Sequence, residues 1–306
     1  MSALKRRLAG FLRLWYNRAR LRHQTVPPEV WIENTDCCNA HCVMCPREKL
    51  TRPLSVMSLG LFEKIIKELA PHADKIHRLH VHNYGEPLLD KQLAQKVQMA
   101  KQHGFKHVYF VTNASLLTAE KTRELIEAGL DEFKVSFYGT DRTTYNATMT
   151  GLDFDKVIDN LRSFFEIRRE LQARKPKIVI QYLPQESNAA RTDEFAAIFE
   201  PMIDPDIGDA LHVFSLHNYG GGKEFNKIVG KPRAICDYPW RVMMILCDGR
   251  VGLCCLDFNA EQIVGDANKE PVLEIWNGPR MAQLREDFKR LDYRRFPICL
   301  RCDRSH

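Results

Sequence analysis

The sequence predicts an α/β fold of successive strand–helix units, followed by a cysteine-bearing C-terminal appendage. Three observations predict it. Short runs rich in β-branched and aromatic residues alternate with helix-period stretches from about residue 30 to residue 216. The length of 306 residues fits one large α/β domain with an appendage, or two medium domains. Ten cysteines fall into two groups, one at 37–45 and one at 236–302, with a cysteine-free body between them.

Residues 1–28 come first. Leu4, Leu8, Phe11 and Trp15 recur at helical spacing with arginines interleaved, which predicts a basic amphipathic helix. Residues 1–22 hold seven cations and no acid, so removing them turns the net charge of +6 into −1. Such a helix either packs on the body with its basic face solvated, or makes a peripheral contact with a membrane surface. No nucleic-acid-binding motif accompanies the charge, so no nucleic acid is expected.

Pro27 and Pro28 end that segment. Strands are predicted at Val30–Asn34, Leu79–Asn83, His107–Thr112, Glu132–Phe137, Ile178–Leu183 and Leu211–Leu216. Helices are predicted at Leu61–Leu69, Gln92–His103, Glu120–Ala128, Asp155–Leu171 and Thr192–Phe199. Strands each followed by a helix or loop indicate parallel βα units, closing part-way into a barrel or forming an open sheet. His217–Gly222, "HNYGGG", reads as a loop leading to an appendage from about Lys231.

Hydrophobic residues at 44% and charged residues at 27% are ordinary for a globular chain able to bury its own core. No run of about 18 apolar residues predicts a spanning helix. No secretory signal is legible, so the expected location is cytoplasmic, peripheral to a membrane at most, and structural disulfides are not expected. Clustered cysteines in such a protein point to ligands.

Cys38-x3-Cys42-x2-Cys45 follows the first predicted strand, and βα barrels place their chemistry at the carboxyl ends of strands. Three thiolates in one loop can converge on one inorganic centre. Structural zinc and ordinary [4Fe–4S] carriers take four ligands, so three leave one position open. Cys37 is the other candidate, but its side chain should diverge from that of Cys38.

The motif resembles the defining one of the radical SAM superfamily. The resemblance implies a partial (β/α)6 TIM-like barrel over 29–230. It implies a [4Fe–4S] cluster on Cys38, Cys42 and Cys45, with S-adenosylmethionine on the open iron through its amino and carboxylate groups. Reductive cleavage then yields a 5′-deoxyadenosyl radical that abstracts hydrogen, with an electron donor such as flavodoxin or ferredoxin. Where the family usually has an aromatic before the last cysteine this chain has Met44, a thioether suited to packing near adenine.

Other segments carry the resemblance further. "NYGEPLL", Asn83–Leu89, is similar to the glycine–glutamate–proline element that contacts the cofactor's amino group, which assigns Tyr84, Gly85 and Glu86 as cofactor contacts, Tyr84 standing where a glycine is usual. Asn113 in "VTNAS", Ser136 in "KVSFYG" and Gln181 in "QYLPQESN" match segments that shape the site or contact the carboxylate, ribose or adenosine. Relatives often place an arginine near Thr150; Arg142 or hydroxyl groups would have to replace it.

Cys299-x2-Cys302 with another pair would suit a zinc knuckle. The order Cys236, Gly249-x4-Cys254, "VLEIWN", Cys299-x2-Cys302 instead resembles the SPASM extension, or its shorter twitch form, over 231–306. That implies one auxiliary [4Fe–4S] cluster on Cys236, Cys254, Cys299 and Cys302, with Cys254 chosen over Cys255 on the glycine spacing, and Cys247 spare.

A cluster saturated by four thiolates has no vacancy and suits electron transfer. The expected activity is therefore dehydrogenation of a small or carbohydrate-like substrate, with a general base that the sequence leaves unnamed. Phosphorylated or lipid-linked forms would suit the basic helix. The alternatives are a peptide or protein maturase forming thioether or carbon–carbon bonds or epimerising residues, and a zinc-stabilised binding protein.

Overall fold

The structure, a computed structural model, describes residues 21–184, 191–215, 217–223 and 234–305. The basic helix expected within residues 1–22 lies almost wholly outside them, as do the N-terminal part of the 231–306 segment and parts of the loops after Gln181 and Gly222.

Eleven strands are described: β1 Glu29–Ile32, β2 His41–Cys42, β3 Arg78–His80, β4 Val108–Thr112, β5 Glu132–Ser136, β6 Met149–Thr150, β7 Lys177–Tyr182, β8 Ala210–Val213, β9 Val242–Ile245, β10 Arg250–Gly252 and β11 Ile263–Asp266. Nine form one sheet in the order β11-β10-β9-β1-β3-β4-β5-β7-β8. The six predicted strands β1, β3, β4, β5, β7 and β8 run parallel, each beside the next. The sheet stops at β8 instead of returning to β1, so the barrel is partial.

The free edge of β1 is taken by β9, parallel and in register from Glu29↔Val242 to Ile32↔Ile245. The C-terminal segment is therefore built onto the barrel sheet, a continuity the sequence did not announce. Met244, Ile245 and Leu246 are buried there, so this junction is core.

Helix positions follow from caps and apolar spacing. The helix Leu59–Leu69 starts where Ser58 accepts from the Leu61 N–H, and it buries Phe62, Ile65, Ile66 and Leu69 at i, i+3, i+4 and i+7. Each such side chain contributes about 1.5–3 kcal/mol by leaving water. Asp153 caps Phe154–Glu170, which buries Leu161, Phe164 and Phe165 against the sheet. Arg168 on that helix grips Asp209 just before β8, with both side chains buried. Predicted and observed boundaries differ by at most three residues, and the helix Thr192–Phe199 matches at both ends. The largest shifts are at β8, which ends at Val213, and at β3, which ends at His80 and leaves His82 and Asn83 in the turn beyond it.

Candidate functional site

The carboxyl ends of β1, β3, β4 and β5 and the segments following them enclose a cavity of about 330 Å³, within the range of small-ligand sites. Cys38, Cys42 and Cys45 all line it, as do Met44, Tyr84, Gly85, Glu86, Asn113 and Ser136. Gln181 does not: it stands level with Ser136 across β5 and β7, one strand further from the cysteine loop. Arg142 is exposed and paired with Asp155, so it does not take the place of the missing arginine. Thr150 is exposed on β6, its hydroxyl bonded to the Ala147 carbonyl.

The cysteine loop is held on three sides. β2 pairs with β6, joining Cys42 to Met149. Asn39 donates to Ser115 and accepts from Asn113, tying the loop to the end of β4. Gly85 lies under it: a Cβ there would sit 2.2 Å from the Thr35 carbonyl oxygen and 2.7 Å from that of Cys37. The glycine thus serves close backbone packing against the cysteine loop, and the Glu86 N–H donates to the Cys37 carbonyl at 2.8 Å.

Electrostatics mark the same wall. Burial pushes the Cys38 thiol up to about 11. Burial, then repulsion from Cys45 and Cys38, pushes Cys42 up to about 12. Three crowded thiols that resist ionising alone are a donor set that a cationic centre would satisfy. Glu86 is buried, which raises its pKa against hydrogen bonds that oppose the rise. Its oxygens accept from the N–H of Leu88, the hydroxyl of Thr112 and the N–H of Asn113. Its main task here is bracing the turn, and Oε2 has one internal partner.

Three polar atoms belonging to cavity-lining residues have no hydrogen-bond partner within the protein: Trp31 Nε1, His82 Nδ1 and Tyr84 Oη. His82 is buried and packs tilted against Trp31 and Tyr109, with ring centroids 5.0 and 5.5 Å away. Burial, then the charges of His80 and Lys134, holds its pKa well below the ordinary imidazole value.

A second, tighter cavity of about 20 Å³ is lined by Cys236, Cys254, Cys299 and Cys302 together with Tyr238 and Arg304. The adjacent cysteines part company: Cys254 faces this cavity and Cys255 faces the large one, while Leu256 borders both. Cys37 and Cys247 line neither. Cys247 Sγ lies 3.0 Å from Ser55 Oγ. The loop at His217 docks on the C-terminal tail, with Asn218 donating to the Arg301 carbonyl, and delivers Tyr219 to the large cavity.

The sequence did not single out Trp31, His82, Tyr138, Phe214, Tyr219 or Cys255 as wall residues. Strand alternation was the available signal for Trp31, flanked by the buried Val30 and Ile32. Tyr219 and Phe214 come from beyond the last strands and carry no periodic signal. Among the described residues no helix is long and apolar enough to cross a membrane.

Both cysteine sites match known families. Residues 32–179 match the family model described as the radical SAM superfamily, and residues 236–303 match SPASM, an iron–sulfur cluster-binding domain. The chain is 28% identical over 193 residues to a probable GTP 3′,8-cyclase of Sulfurisphaera tokodaii, covering 62% of this chain and 56% of that protein. It thus spans just over half the length of the first curated relatives it matches. It is 23% identical over 274 residues to an S-adenosyl-L-methionine-dependent 2-deoxy-scyllo-inosamine dehydrogenase of Niallia circulans, covering 89% of this chain and 91% of that one. The crystal structure of BtrN with AdoMet and 2-DOIA shares the fold, at TM-score 0.64 and 19% identity over 91% of this chain and 93% of that one. The chain belongs to the radical SAM superfamily, and its C-terminal part matches the SPASM iron–sulfur cluster-binding domain.

Proposed function

We propose that the enzyme dehydrogenates a carbinol carbon of a small, neutral, carbohydrate-like substrate, using S-adenosylmethionine as the oxidant. The observation that carries this is the separation of Cys254 from Cys255. It gives a closed quartet, Cys236, Cys254, Cys299 and Cys302, next to a substrate-sized cavity that holds the triad Cys38, Cys42 and Cys45. The donor sets fit one open and one saturated [4Fe–4S] cluster. S-adenosylmethionine bound at the open one would supply a 5′-deoxyadenosyl radical able to take a carbon-bound hydrogen.

The wall chemistry supports the substrate class. No Lys or Arg is among the described lining residues, and the one carboxylate, Glu86, is engaged three times over. A phosphate would find no cation there, and with Glu86 assigned to the cofactor no further carboxylate is left for a substrate amine. Trp31, Tyr138, Phe214 and Tyr219 offer faces on which a sugar ring can lie, and the polar lining residues Asn83, Asn113 and Ser136 offer hydrogen bonds. Two parts of the wall remain as cofactor contacts: Gly85, Glu86, Asn113 and Ser136, with Met44 beside them. Gln181 is no longer among them.

His82 is the proton acceptor. It is the nitrogen base among the described lining residues, and it is neutral at pH 7. The substrate loses a hydrogen atom from carbon, a proton from the hydroxyl to His82 and one electron toward the quartet, leaving a carbonyl. Reduced, cluster-loaded protein incubated with S-adenosylmethionine and carbon-deuterated neutral polyols tests this. Deuterium in 5′-deoxyadenosine together with a ketone is the expected result. Deuterium taken only from a peptide α-carbon would overturn it.

A second reading rests on Cys255, a thiol on the cavity wall outside the quartet. It could return a hydrogen atom to the substrate radical and invert the carbon. The resulting thiyl radical would then need one electron and one proton, the electron from the quartet side. An inverted alcohol in place of a ketone, lost in Cys255→Ala, would favour this reading.

A further inference from the structure

Arg304 lines the quartet cavity with Cys236, Cys254, Cys299 and Cys302, and among the described lining residues it is the one cation. Its guanidinium carbon lies 4.3 Å from the centroid of the Tyr238 ring, which also borders that cavity. Ring and guanidinium stack as a cation–π pair, so the charge has a seat. The Arg304 backbone N–H bonds the Cys302 sulfur, which fixes the residue against the ligand from its main chain as well. Three acids lie near and are otherwise engaged. Asp257 accepts from the N–H groups of Glu261 and Gln262, Asp303 accepts from the Asn218 N–H, and Asp237 faces Arg241.

A cluster held by four thiolates is strongly negative, and one-electron reduction adds another negative charge. A fixed cation at the wall of so dry a cavity stabilises the reduced form more than the oxidised one. We propose that Arg304, seated on Tyr238, is the positioning residue that raises the reduction potential of the auxiliary cluster and so makes it an acceptor for the substrate's electron. The proposal rests on the quartet assignment above.

The test is an EPR-monitored potentiometric titration of the full-length, cluster-loaded protein. The auxiliary signal is identified as the one that survives in the Cys38→Ala/Cys42→Ala/Cys45→Ala variant. Arg304→Gln should make reduction about tenfold less favourable, which is about 59 mV for a one-electron couple. Arg304→Lys should recover most of that, and iron content should not change. Tyr238→Leu, which keeps the charge but removes its seat, should lower the potential in the same direction, while Tyr238→Phe should not. Should Arg304→Gln fail to load, the two Tyr238 variants decide. An unchanged potential in a loaded Arg304→Gln, or in Tyr238→Leu, overturns the proposal. A triple cysteine variant devoid of iron would remove the quartet assignment itself, and the proposal with it.

Discussion

Arg52 holds Glu33 with two parallel hydrogen bonds, Nη1 and Nη2 each 2.9 Å from one carboxylate oxygen. Both side chains are buried. The same guanidinium donates from Nε to the Phe258 carbonyl at 2.8 Å and lies 3.4 Å from Asp36. One residue therefore ties the end of β1, the cysteine loop and the SPASM domain together. Glu33, Asp36 and Cys247 come within 4.8 Å of one another, close enough to hold a metal ion, but Arg52 supplies the cation there. Arg52→Met would leave Glu33 charged, buried and unpaired. The expected loss is about 3–5 kcal/mol in chemical denaturation. The exposed pair Arg142–Asp155 is the control, and Arg142→Met should leave the denaturation midpoint nearly where it was, because solvent screens that pair. Equal costs for the two variants would refute the clamp.

Gly85→Ala tests the packing under the cysteine loop. The added Cβ meets backbone atoms of Thr35 and Cys37, which cannot swing aside as a side chain would. The loop must move, and Cys38 moves with it. The expected outcome is folded protein with reduced iron at the triad and 5′-deoxyadenosine formation down by about 100-fold. Wild-type iron content and rate in this variant would show that the loop tolerates the shift.

The two adjacent cysteines give a stoichiometric test. Fully loaded protein should carry about eight irons, in two four-iron clusters. Cys254→Ala and Cys38→Ala should each fall to about four, and Cys255→Ala should stay at about eight. Iron and acid-labile sulfide analysis after anaerobic reconstitution reads this directly. A Cys255→Ala protein with four irons would reverse the assignment of the pair.

The spacing of Cys38, Cys42 and Cys45 made the first site legible because its ligands sit in one short loop. The parallel strands were legible because apolar runs and helix periods alternate. The Cys254 choice rested on a glycine spacing, and the structure places Cys254 with Cys236, Cys299 and Cys302. What stayed hidden depends on contacts between residues far apart in the chain. β9 pairs with β1 across more than two hundred residues, and no local pattern encodes that register. Gln181 was expected at the cavity from its strand, but it is not among the lining residues, although Phe214 beyond the next strand is. Arg52, in a loop with no periodicity, gave no sign of its burial.

The histidines inside the barrel give the enzyme a definite pH response. His80 and His82 are buried among Trp31 and Tyr109, and the charges facing them are cationic apart from Glu29, which lies 3.2 Å from His80 Nε2. Burial comes first in lowering both pKa values, followed for His80 by Arg78, Lys134, His107 and Arg241, and for His82 by His80 and Lys134. In the folded chain both rings stay neutral well below the ordinary value, whereas in the unfolded chain they titrate near about 6.5. Below that pH the unfolded state binds protons that the folded state refuses, so stability falls as pH falls; above it the full contribution is present. The slope is up to about 1.4 kcal/mol per pH unit for each histidine. The buried carboxyls Glu86 and Asp257, raised by burial, act in the opposite sense, so the histidine contribution is read from the difference between wild type and variant. Guanidinium denaturation of the cluster-free chain across that window should show the decline, and His82→Asn should remove about half of it. The same neutral ring is what allows His82 to accept a proton at pH 7, so a His82→Asn enzyme should still label 5′-deoxyadenosine from a deuterated substrate while releasing little ketone. An unchanged stability slope in that variant would mean that His82 binds its proton equally in the folded and unfolded chains, and that burial does not lower its pKa.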